Sequence, residues 1–528
     1  MSKVDHVLDN YSAKVYKNRK KHMLEHTGEV QEIGANTRTI PGVMNHRGCC
    51  YAGCKGVVLG PIKDAAIITH GPIGCGYYSW GTRRNKAVNE EGKQNYVPYC
   101  FSTNLQESDI VFGGEKKLKK AIDEIMEIFN PKTIFICSTC PVGLIGDDLG
   151  AVATEAKEKY KIEVISFNCE GYKGVSQSGG HHIANNSIIK YLIGTEEYKP
   201  KKFSINLLGE YNIGGDGWEI GRILKRIGYE VISVMTGDSK VEEIRKSHTA
   251  DLNLVQCHRS INYIAEMMKI QYGIAWMKVN FIGVEATIQT LREMAAFFGD
   301  KELKARTEEV IAKELENIKE DMEYYKSKLI GKRAALFVGG SRSHHYQNLL
   351  SDFGVDTVFA AYEFAHRDDY EGRDVIPTIK EDADLKNIEQ LHVTKVQGKF
   401  KILKTEEELK ALKKEMKELE DYEGMIKGMN RHSVIVDDLN HYETEEYIKS
   451  LKPDIFLSGI KDKFIIQKGG VLSRQLHSYD YSGPYAGFRG AVNFGRDLAM
   501  GLYTPAWSFT IPPWKKEPIL EGCLGGAM

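Results

Sequence analysis

Short apolar runs recur along the chain, each followed by a glycine-, cysteine- or acid-bearing loop and then by apolar positions at helical spacing. Runs at 65–69, 133–137 and 163–167 predict three buried strands in the first 200 residues. Further strands are predicted at 203–209, 230–234, 252–257 and 277–282, with helices at 218–227 and 261–268. A third group follows at 333–338, 357–361, 433–437 and 454–459. Strand–helix alternation with short connections means parallel sheets joined by right-handed crossovers. The expected class is α/β, with three Rossmann-like domains at 1–200, 201–331 and 332–528, their parallel sheets flanked by helices. A long charged helix at 302–329 links the second to the third. Two stretches break the pattern: the Lys-rich first fifty residues, which read as an arm on a surface, and 372–432. The latter is rich in Lys and Glu, has an amphipathic helix at 405–420, and reads as a surface insertion.

Composition adds limits. A chain of 528 residues is too long for one core. With 42% hydrophobic and 27% charged residues it is an ordinary globular protein, and a net charge of −1 gives no case for nucleic acid or an anionic membrane. No apolar run approaches bilayer length, and the N-terminus lacks the apolar core of a signal peptide. A cytoplasmic location follows as the expectation. There, ten cysteines are not a disulfide framework, and nine of them lie in the first half of the chain. That placement suits soft-metal ligation, although the spacing fits no zinc finger.

The chemistry gathers where strands end. Cys257 closes the 252–257 run just before a helix begins, on the sheet edge where α/β proteins bind ligands. A thiol there is either a ligand or a small buried hydrophobe. Three strands of the first domain likewise run into cysteine-bearing loops, carrying Cys75, Cys140 and Cys169, and a glycine-punctuated loop at 47–58 carries Cys49, Cys50 and Cys54. Cys137 and Cys140 form a C-x-x-C pair, but a redox dithiol needs its first thiol exposed at a helix N-terminus, whereas Cys137 completes an apolar strand. Cys140 alone is expected to do chemistry. Neither a G-x-G-x-x-G fingerprint in context nor a P-loop is present, so any ATP used is bound elsewhere. The aromatic, glycine-rich stretch 475–485 reads as a loop packed against a ligand, or as a rigid turn.

Taken in order, several of these loops resemble the catalytic α chains of molybdenum–iron nitrogenases. They include R-G-C-x-Y-A-G-x-K-G-V-V, H-G-P-I-G-C, C-P-V-G-L-I-G-D-D, C-E-G-Y-K-G-V-S-Q-S-x-G-H-H-I-A-N, L-G-E-Y-N-I-G-G-D, N-L-V-Q-C-H-R-S, V-G-G-S-R-S, E-F-A-H-R-D-D-Y, G-I-K-D-K-F and H-S-Y-D-Y-S-G-P-Y. The insertion resembles that of clostridial- and methanogen-type members.

The resemblance implies reduction of N2 to ammonia with H2 evolution, and metal clusters at domain and subunit interfaces. An [8Fe-7S] P-cluster would take Cys49, Cys75 and Cys140, with a β chain supplying the remaining thiolates. An iron–molybdenum cofactor with homocitrate would be held by Cys257 on a terminal iron and His477 on molybdenum. Around it, Arg83 and Arg342 would donate to sulfides, and Gly339 and Gly340 would let the backbone approach. His181 would donate to a sulfide and pass protons. Gln177 and Lys461 would face homocitrate, Val57 would cap the reactive face, Ser260 would bond the Cys257 sulfur, and Phe364 would join the cofactor-binding set. The implied assembly is an α2β2 heterotetramer served by an ATP-hydrolysing iron protein homodimer. A vanadium or iron-only nitrogenase α chain and a non-catalytic cofactor-assembly scaffold are the alternatives. The chain departs from the family pattern at Cys50 and Cys54, where Ala or Ser is common, and at Tyr479, where Trp is common.

Overall fold

The computed structural model describes residues 2–29, 31–35, 48–81, 85–174, 176–339, 342–363, 365–376, 388, 390–416, 419–459, 463–476 and 482–504. The first strand, β1 (Met23–Glu25), belongs to the N-terminal arm. A parallel sheet follows, built from β2 (Ala66–His70), β3 (Phe101–Ser102), β4 (Thr133–Ser138) and β5 (Glu163–Phe167) in the order β3-β2-β4-β5. The second parallel sheet has β6 (Ser204–Glu210), β7 (Glu230–Thr236), β8 (Leu252–Val255) and β9 (Ala275–Lys278) in the order β7-β6-β8-β9. The third contains β10 (Arg333–Phe337), β11 (Asp356–Tyr362), β12 (Val434–Asp437), β13 (Ile455–Ser458) and β14 (Leu472–Gln475). Its order is β1-β12-β11-β10-β13-β14, with only β1 antiparallel.

These strands form because their residues are buried on both faces, as parallel sheets covered by helices require. All of β2, β4 and β6 is buried. The three sheets do not keep separate cores. One apolar cluster joins Leu207, Leu254 and Met277 of the second sheet to Leu336, Ala360 and Leu457 of the third. Another joins Phe135 and Ile165 of the first to Leu208, Val255 and Trp276 of the second. The ends of β4 and β8 therefore open near a shared seam.

Three features differ from the sequence reading. The arm does not simply lie on a surface: β1 pairs with β12, and Val4, Val7 and Leu8 enter the core of the third sheet. Arg19 is buried with it, donating bidentately to Glu443 at 2.7 Å and to the carbonyls of Asp437 and Asp438. The glycine-punctuated loop is instead wound, over Ala52–Leu59, into a π-helix. The insertion is docked: the amides of Val396 and Lys401 donate to the carbonyls of Gln271 and Tyr272, and Leu419 accepts from the amide of Lys278 at the end of β9. Its helix stops at Glu415, short of the expected 420.

Candidate metal and cofactor site

The first sheet presents its thiols along one edge. β2 ends at His70, and the helix Ile73–Gly81 begins two residues before Cys75. β4 ends at Ser138, and Cys140 opens the helix Cys140–Ile145, where Pro141 fits the first turn because its missing N–H has no partner to lose. Thr139 pins the two loops together, its amide and hydroxyl both donating to the His70 carbonyl at 3.2 and 3.0 Å. The Cys50 amide donates to the Gly171 carbonyl and brings Cys49 to the same place. A Cβ on Gly171 would stand 3.0 Å from the Cys140 sulfur and 3.5 Å from that of Cys49. Burial pushes the Cys75 thiol up, and the nearby Cys49 and Cys140 push it further. Cys49 and Cys140 are exposed and Cys75 half-buried, so the trio faces outward. The aspartates of the C-P-V-G-L-I-G-D-D loop are structural. Asp147 accepts from His70 and the Gly114 amide, and Asp148 caps the next helix through the Ala151 amide.

Behind this edge the π-helix packs backbone to backbone on the helix Gln177–Tyr191. A Cβ on Gly53 would fall 1.9 Å from the Gln177 carbonyl oxygen, and one on Gly180 would fall 1.9 Å from that of Cys50. Only glycine permits such an approach. Val57, Gln177 and His181 all lie on this pair and are buried. Asn185, one turn beyond His181 and on the same helix face, donates to the Ser260 carbonyl at 2.9 Å. That bond sets the His181 face against the helix that follows Cys257.

Cys257 is the residue preceding the helix His258–Tyr272, just past the end of β8 and buried. Gly209 lies beside it at φ +77°, and a Cβ there would meet the Cys257 amide nitrogen at 2.8 Å. The next residue, Glu210, pairs with Arg342 at 3.5 Å, and Asp216 meets the same guanidinium at 3.5 Å. Burial raises the Glu210 carboxyl to about 7 against the pull of Arg342. Arg342 thus contacts two buried carboxylates in addition to whatever it meets at the site. Asp216 also accepts the amides of Tyr485 and Ala486, fastening the segment that leads into the helix Gly487–Leu502. Ser260 differs from expectation: its hydroxyl donates to the Cys257 carbonyl at 3.2 Å and accepts from Tyr211 at 2.9 Å. Gly339 is buried after β10. Arg83, Gly340, Phe364, Lys461, His477 and Tyr479 lie outside the described residues.

A buried polar cluster next to Cys257 escaped the sequence reading. Arg259 donates to Asp369 and Asp368 at 3.0 Å and meets His366 at 2.8 Å. His258 bonds Asp369 at 2.9 Å. The signal lay in the paired motifs C-H-R-S and H-R-D-D-Y, whose charges are complementary.

The donor sets match two kinds of centre. Three soft thiols at an outward edge suit part of an iron–sulfur cluster completed from outside. A lone buried thiol near cations, amides and imidazoles suits a large anionic group held by few direct bonds. The family model described as nitrogenase component 1 type oxidoreductase matches residues 49–503. The chain belongs to this family. It is 58% identical over 515 residues to the nitrogenase molybdenum-iron protein alpha chain of Clostridium pasteurianum, covering 97% of this chain and 96% of that one. The corresponding chain of Methanosarcina barkeri is 52% identical over 98% of this chain and 97% of its own. The solved structure described as nitrogenase Cp1 at pH 6.5 superposes with a TM-score of 0.93 at 57% identity, covering 97% of this chain and all of that one. As a family member the chain is an oxidoreductase with the α/β architecture described. Among the described residues, no helix is long and apolar enough to cross a membrane.

Proposed function

We propose that the chain is the catalytic α subunit of a molybdenum-dependent nitrogenase, reducing N2 to ammonia with H2 evolution. The observation that carries this reading is the pairing of two unlike thiol centres in one chain. Cys49, Cys75 and Cys140 gather at an open edge, and Cys257 is buried at a strand end near Arg342. The exposed trio would hold the α half of an [8Fe-7S] P-cluster, and Cys257 with His477 the two ends of an iron–molybdenum cofactor carrying homocitrate. When bound, these groups supply electron storage and the reducing centre.

The chain's own residues bind, orient and exclude water. Arg342, Gly339 and, from outside the described set, Arg83 and Gly340 supply donors to an anionic group. Phe364 would pack against it. His181 would hold a proton next to it, Gln177 and Lys461 would orient homocitrate, and Val57 would limit what enters. The Ser260 hydroxyl holds the Cys257 main chain and so aims its sulfur. The 1–200, 201–331 and 332–528 divisions serve as the working domains, with the arm attached to the third.

A β chain would complete the thiol edge. Ile73, Tyr77, Tyr78, Phe112 and Leu144 are large, apolar and exposed on or near the Cys75 and Cys140 helices. Such a patch suits an obligate interface, consistent with an α2β2 assembly. Electrons would come from an ATP-hydrolysing iron protein homodimer.

Metal analysis and acetylene reduction by the complex copurified with its β partner test the reading. Molybdenum with iron and acetylene reduction are expected. Vanadium in place of molybdenum favours the alternative nitrogenase, and a transferable precursor without acetylene reduction favours the assembly scaffold. His477→Ala should keep the P-cluster and lose molybdenum; normal molybdenum content in that variant refutes the ligand assignment.

A further inference from the structure

Behind the outward-facing trio lies a second group of three cysteines that the proposed function does not use. Cys54 comes from the π-helix, Cys137 from the penultimate position of β4 and Cys169 from the loop after β5. All three are 0% exposed, and their sulfurs lie within 4.8 Å of one another. They are separated by 83 and 32 positions (137 − 54 and 169 − 137), so the fold alone brings them together.

From this geometry we infer a separate metal site: Cys54, Cys137 and Cys169 form a three-thiol pocket for one soft monovalent d10 cation, of which Cu(I) is the type. Three sulfurs about one ion at ~2.3 Å stand ~4 Å apart, inside the observed limit. Sulfur donors alone select soft ions over hard ones. The donors are fixed before any ion arrives. The Cys169 amide donates to the Ser138 hydroxyl at 2.9 Å, and the Cys169 thiol donates to the Ser138 carbonyl at 3.6 Å. Cys137 is locked by β-ladder pairing to Thr69 and Phe167 on either side. Cys54 is held by the glycine contact of its helix with Gly180.

Donor number favours such an ion, because among the described residues the group offers three thiols where zinc takes four ligands. One monovalent ion with three thiolates carries two negative charges, and the buried Lys55 that directly follows Cys54 offsets one of them. Binding would release the S–H protons of the thiols that ionise, with no change of oxidation state. A filled site would fasten the π-helix, β4 and the loop before Gly171 to one another. Those segments carry Cys49 and Cys140 or abut them, so the ion would brace the outer thiols without touching them.

The test uses the whole complex, isolated both from cells grown with added copper and after anaerobic incubation with Cu(I). The expected result is about one copper per α chain, with X-ray absorption showing about three sulfur neighbours at ~2.3 Å. Iron content should not change. Cys54→Ser and Cys169→Ser should each bring copper down to background; if either variant fails to assemble, the absorption spectrum of the unaltered complex decides. The site is overturned by copper at background under both loadings, by equal copper in the serine variants, by zinc alone, or by copper gained as iron is lost.

Discussion

Tyr422 lies flat on His258, their ring centroids 3.8 Å apart and their planes 21° from parallel. The tyrosine belongs to the charged 372–432 segment, and the histidine directly follows Cys257. Its hydroxyl donates to Asp368 at 2.6 Å, and Asp368 in turn receives Arg259. The insertion thus braces the Cys257 turn from behind. Tyr422→Phe keeps the ring and loses one charge-assisted bond, at a cost of roughly 1.5–3 kcal/mol. Tyr422→Ala removes the ring as well, should cost about 3–5 kcal/mol and should lower molybdenum content. Denaturant unfolding and metal analysis check both, and an alanine variant unchanged in either would remove the brace.

Gly209 is a second support for the same sulfur. At φ +77° with the Cys257 backbone 2.8 Å from where a Cβ would stand, alanine is excluded twice over. Gly209→Ala should displace Cys257 and reduce molybdenum retention severalfold. The P-cluster signal of the oxidised complex in electron paramagnetic resonance should persist, because Cys49, Cys75 and Cys140 gather at the edge of a different sheet. Equal loss of both centres would contradict this.

Acid stability carries a separate signature. Burial raises the Asp352 carboxyl to about 6, against the Val284 amide that it accepts at 2.6 Å. The folded chain therefore favours the protonated acid. The contribution is fully present below the unfolded value near 4 and is lost as pH rises through about 6. Asp352→Asn should flatten that part of the stability profile by up to about 3 kcal/mol. Urea unfolding at several pH values across the window measures it, and an unchanged slope would show that other groups set it.

Val57 is buried on the π-helix. Val57→Ala should admit larger alkynes as substrates while leaving acetylene reduction within about twofold, since removing two methyl groups enlarges the pocket without altering a donor. Product analysis with propyne or a longer alkyne checks this. An unchanged substrate range would take Val57 away from the pocket.

Most of the frame was legible because parallel strands buried on both faces must be apolar runs, and turns that end them need glycine. Glu163–Phe167 and Glu230–Thr236 begin where their runs begin. Cys75, Cys140 and Cys257 were legible as strand-end positions, whereas Cys49 joined them only through the family resemblance. What could not be read was contact between distant segments. β1 is three residues long and finds β12 across more than four hundred positions. The π-helix hid because its glycines look like loop punctuation, yet Gly53 is there to admit the Gln177 backbone. The stack of Tyr422 on His258 and the convergence of Cys54, Cys137 and Cys169 leave no periodic trace at all.

The contacts of Gly53 with the Gln177 main chain and of Gly180 with the main chain of Cys50 and Cys54 act as a register lock. With each glycine set against the other helix's main chain, a slide of one residue would drive a side chain into a carbonyl. Val57 and His181 are therefore fixed on one rigid block. Whatever widens access on the Val57 side cannot be accommodated by shifting the helix that carries His181. If Val57 and His181 act as proposed, entry and proton supply are tied mechanically and can be tuned by exchanging side chains, not by moving the frame.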